Sequence, residues 1–315
     1  MRFESISLDG IRTISLEERK HKVHVGEFAR PPRPGASFGD FVRSLPDILA
    51  GKEFREFVGR VADAVKGGRT VAVGMGGHVV KTGMGPVLAG LMERGAISAL
   101  AMNGAAAIHD VEVAMAGATS EDVARGLEDG SFGMAMETAE FLNSTARQAG
   151  EGFGRALGDR MERERLPFRE HSLLWNAHRF GVTATVHVAL GTDVVHQHPS
   201  CDGAAVGRAT YLDFRIFCSV VASLEGGVYI NLGSAVVLPE VFLKALTVVR
   251  NLGHPVRHFT TANFDMLQHY RPSANVVERP TRTGGKGYAF TGHHELMIPL
   301  FACALLEHLE GKDAA

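Results

Sequence analysis

The 315-residue chain lacks the features that mark several large functional classes. It has three cysteines (Cys201, Cys218 and Cys303) and no CxxC spacing, so neither a disulfide framework nor a zinc knuckle is indicated. Lys and Arg total 33 against 35 Asp and Glu, and no basic block is present. A nucleic-acid-binding protein needs clustered positive charge, so the composition argues against nucleic acid as a partner.

Long hydrophobic runs are also missing. The most apolar stretch, residues 216–238, contains Glu225 and a Gly-Gly pair, and it fits a strand and turn better than a membrane span. The first ten residues, MRFESISLDG, contain no apolar segment typical of a signal peptide. We therefore expect a cytoplasmic protein with no membrane partner.

Short runs rich in β-branched residues alternate with amphipathic, helix-like stretches along most of the chain. The predicted strands cover residues 70–74, 97–103, 182–190, 227–233 and 255–262. Strands with few charges, separated by helices, are typical of a parallel sheet that is covered on both faces. The sequence predicts the α/β class: a doubly wound, Rossmann-type parallel sheet with a helical insertion.

The chain divides into an arm and one domain. Residues 1–45 are polar and include RPPRPG, which predicts an extended N-terminal arm packed on the body or on a neighbouring subunit. Residues 46–315 are expected to form a single α/β domain. Thr119 to Asp122 has the pattern of a helix N-cap with an acidic first turn, and it predicts a helical insert over about 119–175.

Polar and small residues collect directly after the predicted strands, where ligands bind in parallel sheets. These stretches read GMGGHVVKTGMG, NGAAAIHD, GTDVVHQH, NLGSAVV and TTANFD. Gly74, Gly76 and Gly77 follow a strand as a dinucleotide-binding loop requires, but the third glycine of that fingerprint is missing. A nucleotide loop and a plain tight turn both fit this segment.

Two groups of side chains leave metal binding open. One group contains His196, His198, Cys201 and Asp202, and the other contains His293, His294 and Glu295. Residues of these types bind divalent metals, but no HExxH or CxxC spacing supports them, and hydrogen-bonded or solvated histidines fit equally well.

Lys286 lies among three glycines in the segment TRTGGKGYAFTGHHEL. Residue 287 is glycine, so the segment is not a P-loop, which needs Ser or Thr after the lysine. A solvated loop lysine is one interpretation. The other is a partly desolvated amine that attacks an imine or carbonyl carbon, with His293 and Glu295 setting its protonation.

Four stretches together resemble the deoxyhypusine synthase family, over about two thirds of the chain. They are GHVVKTGMGPVLAGLMERGAISALAMNGA, LDFRIFCSVVASLEGGVYINLGSAVV, FTTANFD, and GGKG followed by HHELMIPLF. The resemblance implies an NAD-binding fold, a homotetramer with sites between subunits, and Lys286 as the imine-forming lysine.

The strand ends and this resemblance together predict a set of cofactor-binding residues for NAD. The set is Gly76, Gly77, His78, Thr82, Gly83, Asn103, Gly104, Asp110, Asp193, Gly233, Ser234, Thr261, Ala262, Asp265 and His293.

On the polyamine side the chain departs from the family. Gly284 replaces a tryptophan, Leu238-Pro239 replaces a Lys-His pair, and Ile108 and His109 replace paired glutamates. Loss of the carboxylates lowers the expected affinity for a polycation. We therefore expect an NAD-dependent transferase or deaminase-type enzyme that forms an imine of a small amine or amino acid, rather than an authentic deoxyhypusine synthase. Lys286 and His109 are its candidate catalytic residues.

A narrower likeness supports the same substrate class. NGAAAIHDVE resembles a stretch of NAD-dependent ornithine cyclodeaminases related to lysine-oxoglutarate reductase/saccharopine dehydrogenase proteins. Two alternatives stay open: a metal-assisted hydrolase using the two histidine groups, and a non-catalytic nucleotide-binding oligomer.

Overall fold

The computed structural model describes residues 1–311. The strands are β1 Val71–Met75, β2 Ala99–Asn103, β3 Thr183–His187, β4 Val228–Leu232, β5 Thr260–Asp265 and β6 Lys286–Thr291. The helices before β3 are α1 Phe38–Ser44, α2 Leu49–Lys66, α3 Gly77–Lys81, α4 Gly85–Glu93, α5 Gly104–Ala116, α6 Val123–Asp129, α7 Met136–Gln148, α8 Phe153–Arg163 and α9 Leu173–Phe180. Those after it are α10 Gly203–Ala222, α11 Val237–Asn251, α12 Tyr270–Pro272 with a π-helical turn at Ser273–Glu278, and α13 His294–Leu309.

The described residues build one six-stranded, all-parallel sheet in the order β3-β2-β1-β4-β5-β6. This confirms the predicted doubly wound α/β fold. The chain leaves β1 toward β2 and β3, and α10 then returns it to the other side of β1, where β4 pairs. The β1–β4 boundary is therefore the switch point at which such sheets open a crevice for ligands.

Helices cover both faces of the sheet because the central strands are apolar on both sides. On one face Phe57 of α2 packs its ring against Phe264, Tyr288, Phe290 and Phe301, with ring centroids 5.5–5.7 Å away. On the other face Tyr229 of β4 stacks on Phe242 of α11, with centroids 3.9 Å apart. The packing of helices on both faces fixes the positions of the strand ends.

Strand β6 lies where the sequence predicted a glycine-rich loop. Its burial alternates, with Tyr288 and Phe290 inside and Ala289 and Thr291 exposed, as an edge strand requires. Outside the sheet, residues 1–36 are largely exposed and contain turns and a short 3-10 helix at Val25–Glu27. The last part of the predicted arm is not extended, because residues 38–44 form α1, which packs against α13. Along the chain, α6, α7 and α8 lie between α5 and α9. Within residues 1–311, no helix is long and apolar enough to cross a membrane.

Candidate active site at the β1–β4 crevice

The floor of the crevice is made of glycines from the loops after β1 and β4. The Gly76 N–H donates to the Leu232 carbonyl at 3.0 Å, and a Cβ on Gly76 would lie 2.6 Å from the Gly233 carbonyl oxygen. Gly233 has φ 63°, and a Cβ there would overlap His294 Nε2. Only glycine at these positions lets the two loops and the His294 ring approach so closely.

His294 is the most buried polar group at the crevice. It is the first residue of α13 and is 1% exposed, and its Nδ1 atom has no hydrogen-bond partner among the described residues. Its ring centroid lies 5.9 Å from that of His78 in α3, the helix that follows β1. Burial lowers the pKa of His294, and the nearby Asp265 carboxylate opposes the shift only in part. The ring is therefore neutral near neutral pH.

His109 borders the same floor on the side of β2. A Cβ on Gly77 would lie 3.0 Å from His109 Cδ2, so this edge of the ring faces the loop after β1. Nδ1, on the other side of the ring, lies 2.7 Å from Thr119 Oγ1. Glu112 Oε2 lies 3.5 Å from the same nitrogen. The predicted catalytic histidine therefore reaches the crevice edge and has a carboxylate behind it.

The ends of β2 and β3 bring three more predicted residues together. Asn103 caps α5, its Oδ1 accepting from the Ala106 N–H at 2.8 Å. The Asp193 carboxylate lies against Gly104, where any Cβ would overlap it. Burial raises the pKa of Asp193 to about 6. A partly desolvated carboxylate next to the first turn of α5 can pair with a positively charged group.

The remaining predicted residues at this edge differ in exposure. Asp265 ends β5 and is 7% exposed. Ser234 is buried, and its Oγ accepts from the Leu238 N–H at 3.1 Å, so it supports the start of α11. His293 is exposed and lies 3.8 Å from Glu295. Its neighbour His294, rather than His293, points into the fold.

The structure corrects the placement of several predicted cofactor residues. Thr261 and Ala262 lie in the middle of β5 with no exposed surface, and Thr261 Oγ1 donates to the Val276 carbonyl at 2.7 Å. Asp110 is 1% exposed and accepts hydrogen bonds from Ser172 and from the start of α9. Their polar groups are already hydrogen-bonded within the protein, so these buried side chains offer no free polar group to a cofactor in the crevice.

Thr82 and Gly83 also lie away from the crevice floor, because α3 separates them from Gly77. Thr82 Oγ1 donates to the carbonyls of His78 and Val79 and so ends the helix. The position of Thr82 is explained by the local backbone, without a ligand.

Lys286 lies at the opposite edge of the sheet from the crevice. It is the first residue of β6, and a six-residue strand spans about 17 Å at about 3.3 Å per residue. Its Nζ pairs with Glu56 Oε2 at 2.7 Å, and this hydrogen bond holds the pKa of Glu56 at about 2. The expected influence of His293 and Glu295 on Lys286 is therefore wrong, because β6 separates them.

The glycines around Lys286 are explained by packing. Gly284 has φ 130°, and a Cβ there would lie 2.7 Å from His258 Cδ2. Cβ atoms on Gly285 and Gly287 would overlap the carbonyls of Phe259 and Val277. The loop is therefore a tight entry to an edge strand, and nothing in its geometry brings Lys286 to a ligand in the crevice.

The two histidine groups considered for metal binding do not meet. His196 and His198 follow β3, and His293 and His294 follow β6, which are the two edge strands. Five strand spacings of about 4.8 Å separate these edges by about 24 Å. A shared metal centre for hydrolysis is therefore not supported.

Sequence reasoning missed three residues of the site region. His294 was considered only as a metal ligand, and Glu112 and Thr119 were given no role in the site. A signal for Glu112 was present, because it stands three residues after His109 on one helix and so shares its face. Thr119 reaches the site only through the turn that ends α5, which the spacing cannot reveal.

Comparison with known proteins places the fold. No protein-family model and no curated protein sequence matches the chain. A protein assigned to the LOR/SDH group from Methanococcus maripaludis S2 matches at a TM-score of 0.51 and 17% identity, over 89% of this chain and 74% of that one. AgrE, in its ternary complex with ornithine and NAD+, matches at 0.54 and 16%, over 84% of this chain and 34% of AgrE.

At these identities the likeness concerns the fold, and this chain spans about a third of AgrE. A protein assigned as a deoxyhypusine synthase from Entamoeba histolytica matches at a TM-score of 0.48 and 12% identity, over 86% of this chain and 93% of that one. This value is too low to support an argument, so membership of the synthase family stays a prediction.

Proposed function

We propose that the protein is an NAD-dependent enzyme that acts on a small amino acid or amine in the β1–β4 crevice. The observation that carries the proposal is the pair of histidines packed on the glycines after β1 and β4: His109 next to Gly77, and the buried His294 next to Gly233. The fold likeness to AgrE, whose crystals hold ornithine and NAD+, supports this cofactor and substrate class.

The crevice fits a dinucleotide for two reasons. It lies at the switch point of a doubly wound sheet, and the loops after β1 and β4 are built from glycines, the residue type with which backbone approaches a pyrophosphate most closely. In addition, a buried ring nitrogen without a partner, as in His294, is a group that a bound ligand can satisfy. The residues that would hold NAD are Gly76, Gly77, His78, Asn103, Gly104, Asp193, Gly233, Ser234, Asp265 and His293. NAD bound there would supply the hydride acceptor for oxidation of the carbon that carries the amino group.

The protein's own side chains supply the proton chemistry and the recognition of the amino group. His109 Nε2 accepts the proton that the amino group must lose before the carbon is oxidised to the imine level. Asp193 and Asp265 place carboxylates at the edge, where they attract a cationic amine. His294 stays neutral and hydrogen-bonds the ligand without introducing charge.

Substitution of one floor glycine tests where NAD binds. In Gly77→Ala the new Cβ would lie 3.0 Å from His109 and 3.3 Å from the Ala105 carbonyl carbon, so it narrows the floor. We expect NAD affinity, measured by calorimetry, to fall about tenfold or more, which corresponds to about 1.4 kcal/mol. Gly203→Ala is the control, because Gly203 also begins a helix and nothing lies within 4 Å of a Cβ there.

Two further measurements separate the alternatives. In the parent protein, NAD at a hundredfold excess over its Kd should raise the free energy of unfolding by about 2.7 kcal/mol, and a thermal-shift measurement detects this increase. NADH formation with a panel of amino acids and amines, including ornithine, then tests turnover. NAD binding without any turnover would favour a nucleotide-binding role, and no binding at millimolar NAD would refute the proposal.

A further inference from the structure

A chain of hydrogen bonds links His109 to the helical insertion. His109 and Glu112 lie on one face of α5, three residues apart. His109 Nδ1 is 2.7 Å from Thr119 Oγ1, and the same hydroxyl donates a short hydrogen bond to Glu112 Oε2. Thr138 of α7 donates to the other carboxylate oxygen at 3.5 Å. The insertion therefore surrounds Glu112 with donors.

The direction of these hydrogen bonds fixes the tautomer of His109. A carboxylate can only accept, so the single hydroxyl proton of Thr119 points to Glu112. The Thr119 oxygen must then accept from Nδ1–H of His109. In the neutral ring this leaves Nε2 as the unprotonated nitrogen. Nε2 adjoins Cδ2, the atom that faces Gly77. The contacts of His109 with Thr119 and Glu112 both use Nδ1, so among the described residues Nε2 has no hydrogen-bond partner.

The backbone after α5 is shaped to bring Thr119 back over the helix. Gly117 ends α5 with φ 66°, and Ser120 has φ 72°, a left-handed conformation that non-glycine residues rarely adopt. Burial alone would raise the pKa of Glu112, but the contacts with His109 and Thr119 outweigh it and lower the pKa. The carboxylate therefore stays ionised. The left-handed Ser120 follows Thr119 directly and belongs to the turn that holds Thr119 against Glu112.

We propose that Thr119, backed by Glu112, positions His109 as the proton acceptor of the crevice. This inference rests on the proposed function. In the step, one N–H bond of the substrate's ammonium group breaks and its proton forms an N–H bond at Nε2. Nδ1 keeps its own proton and its hydrogen bond to Thr119, and the Glu112 carboxylate offsets the charge of the imidazolium. Thr119 and Glu112 act through His109 and are positioning residues.

The tautomer of His109 can be measured without any substrate. Long-range 1H–15N spectra of the 15N-histidine-labelled full chain report which ring nitrogen carries the proton, and His109→Gln identifies the His109 signal among the 15 histidines. We expect the Nδ1–H form in the parent and in Thr119→Ser, and loss of that preference in Thr119→Val. Thr247→Val is the control, because that hydroxyl donates only to the Leu243 carbonyl within its own helix.

Activity gives the second readout. Turnover in Thr119→Val should drop at least about tenfold with NAD affinity unchanged, and Thr119→Ser should restore it. An unchanged tautomer in Thr119→Val, or an Nε2–H form in the parent, would overturn the inference. If the parent oxidises no amine but shows the expected tautomers, the proposed function fails while the hydrogen-bond chain stands, so the two failures are distinguishable.

Discussion

At the scale of single residues, two buried aspartates act as caps for helices far away in the chain. Asp110 accepts from the Ser172 hydroxyl and from the N–H groups of Leu173 and Leu174, at 2.5, 2.6 and 3.0 Å. Asp213 accepts from the backbone N–H groups of Phe153, Gly154 and Val186 at 2.6–2.9 Å. It caps α8 in this way because the N-cap residue of that helix, Gly152, has no side chain to do so. These carboxylates satisfy helix N-termini that would otherwise be buried without partners.

Substitution of Asp110 should therefore change stability. Asp110→Asn keeps the size of the side chain but replaces one acceptor with an NH2 group that faces a donor. We expect a loss of about 2 to 3 kcal/mol in the free energy of unfolding, measured with urea. Asp122→Asn is the matched control, since Asp122 caps α6 at an exposed position and Asn caps equally well. An equal effect of both substitutions would contradict the buried-cap argument.

Asp110→Asn should also change how the free energy of unfolding depends on pH. Burial raises the pKa of Asp110 to about 6, although its hydrogen bonds oppose the shift, whereas an unfolded chain has about 3.9. Between about pH 4 and pH 6 the folded protein holds a proton that the unfolded chain has released. The contribution of Asp110 to the free energy of unfolding therefore falls as pH rises through this window. Asp110→Asn should show a shallower fall, and an unchanged slope would refute the assignment.

At the scale of elements, β6 separates Lys286 from the crevice. The Lys286–Glu56 pair is 43% and 34% exposed at its two side chains, so its contribution to stability is small. We expect Lys286→Ala to lower the free energy of unfolding by less than about 1 kcal/mol and to leave NAD affinity unchanged. Glu56→Gln removes the same pair from α2 together with the Glu56–Arg60 pair, so its loss of stability should be at least as large as that of Lys286→Ala. A clear loss of NAD binding in Lys286→Ala, but not in Glu56→Gln, would show that Lys286 takes part in NAD binding.

The same elements show what the sequence could predict. The apolar central strands and their glycine ends identified the sheet and the crevice, and Gly76, Asn103 and Gly233 do lie at its edge. The prediction of β5 ended at residue 262, three residues early, because the polar Asn263 and Asp265 hid the strand, and Thr261 was therefore placed at the edge. The glycines before β6 likewise indicated a loop. Contacts that depend on tertiary packing, such as Thr119 with His109, have no local signal.

At the scale of the whole molecule, the beginning of the N-terminal arm leaves its apolar side chains exposed in the described structure. Phe3, Ile6 and Leu8 are 92%, 85% and 66% exposed. Burial of one such side chain is favourable by about 1.5 to 3 kcal/mol relative to leaving it in water, so the exposed arm gains free energy if it packs against another surface. Large apolar surfaces of this kind mark interaction sites. The same reasoning applies to Leu296 at the start of α13, which is 67% exposed.

We therefore expect the full chain to be at least a dimer, with a tetramer as the prediction of the family resemblance, and the arm to contribute to assembly. Combined Phe3→Ser, Ile6→Ser and Leu8→Ser substitutions should lower the mass measured by light scattering at micromolar concentration. Combined Glu4→Ser, Asp9→Ser and Arg12→Ser substitutions change polar positions of the same arm and should leave the mass unchanged. Because the arm makes few contacts with its own domain, the apolar substitutions should not change the stability of that domain. The melting temperatures of the variant and the parent, each extrapolated to low protein concentration, should therefore agree. A parent that is monomeric at micromolar concentration would refute the assembly, and an oligomer whose mass is insensitive to the apolar substitutions would show that other surfaces hold it together.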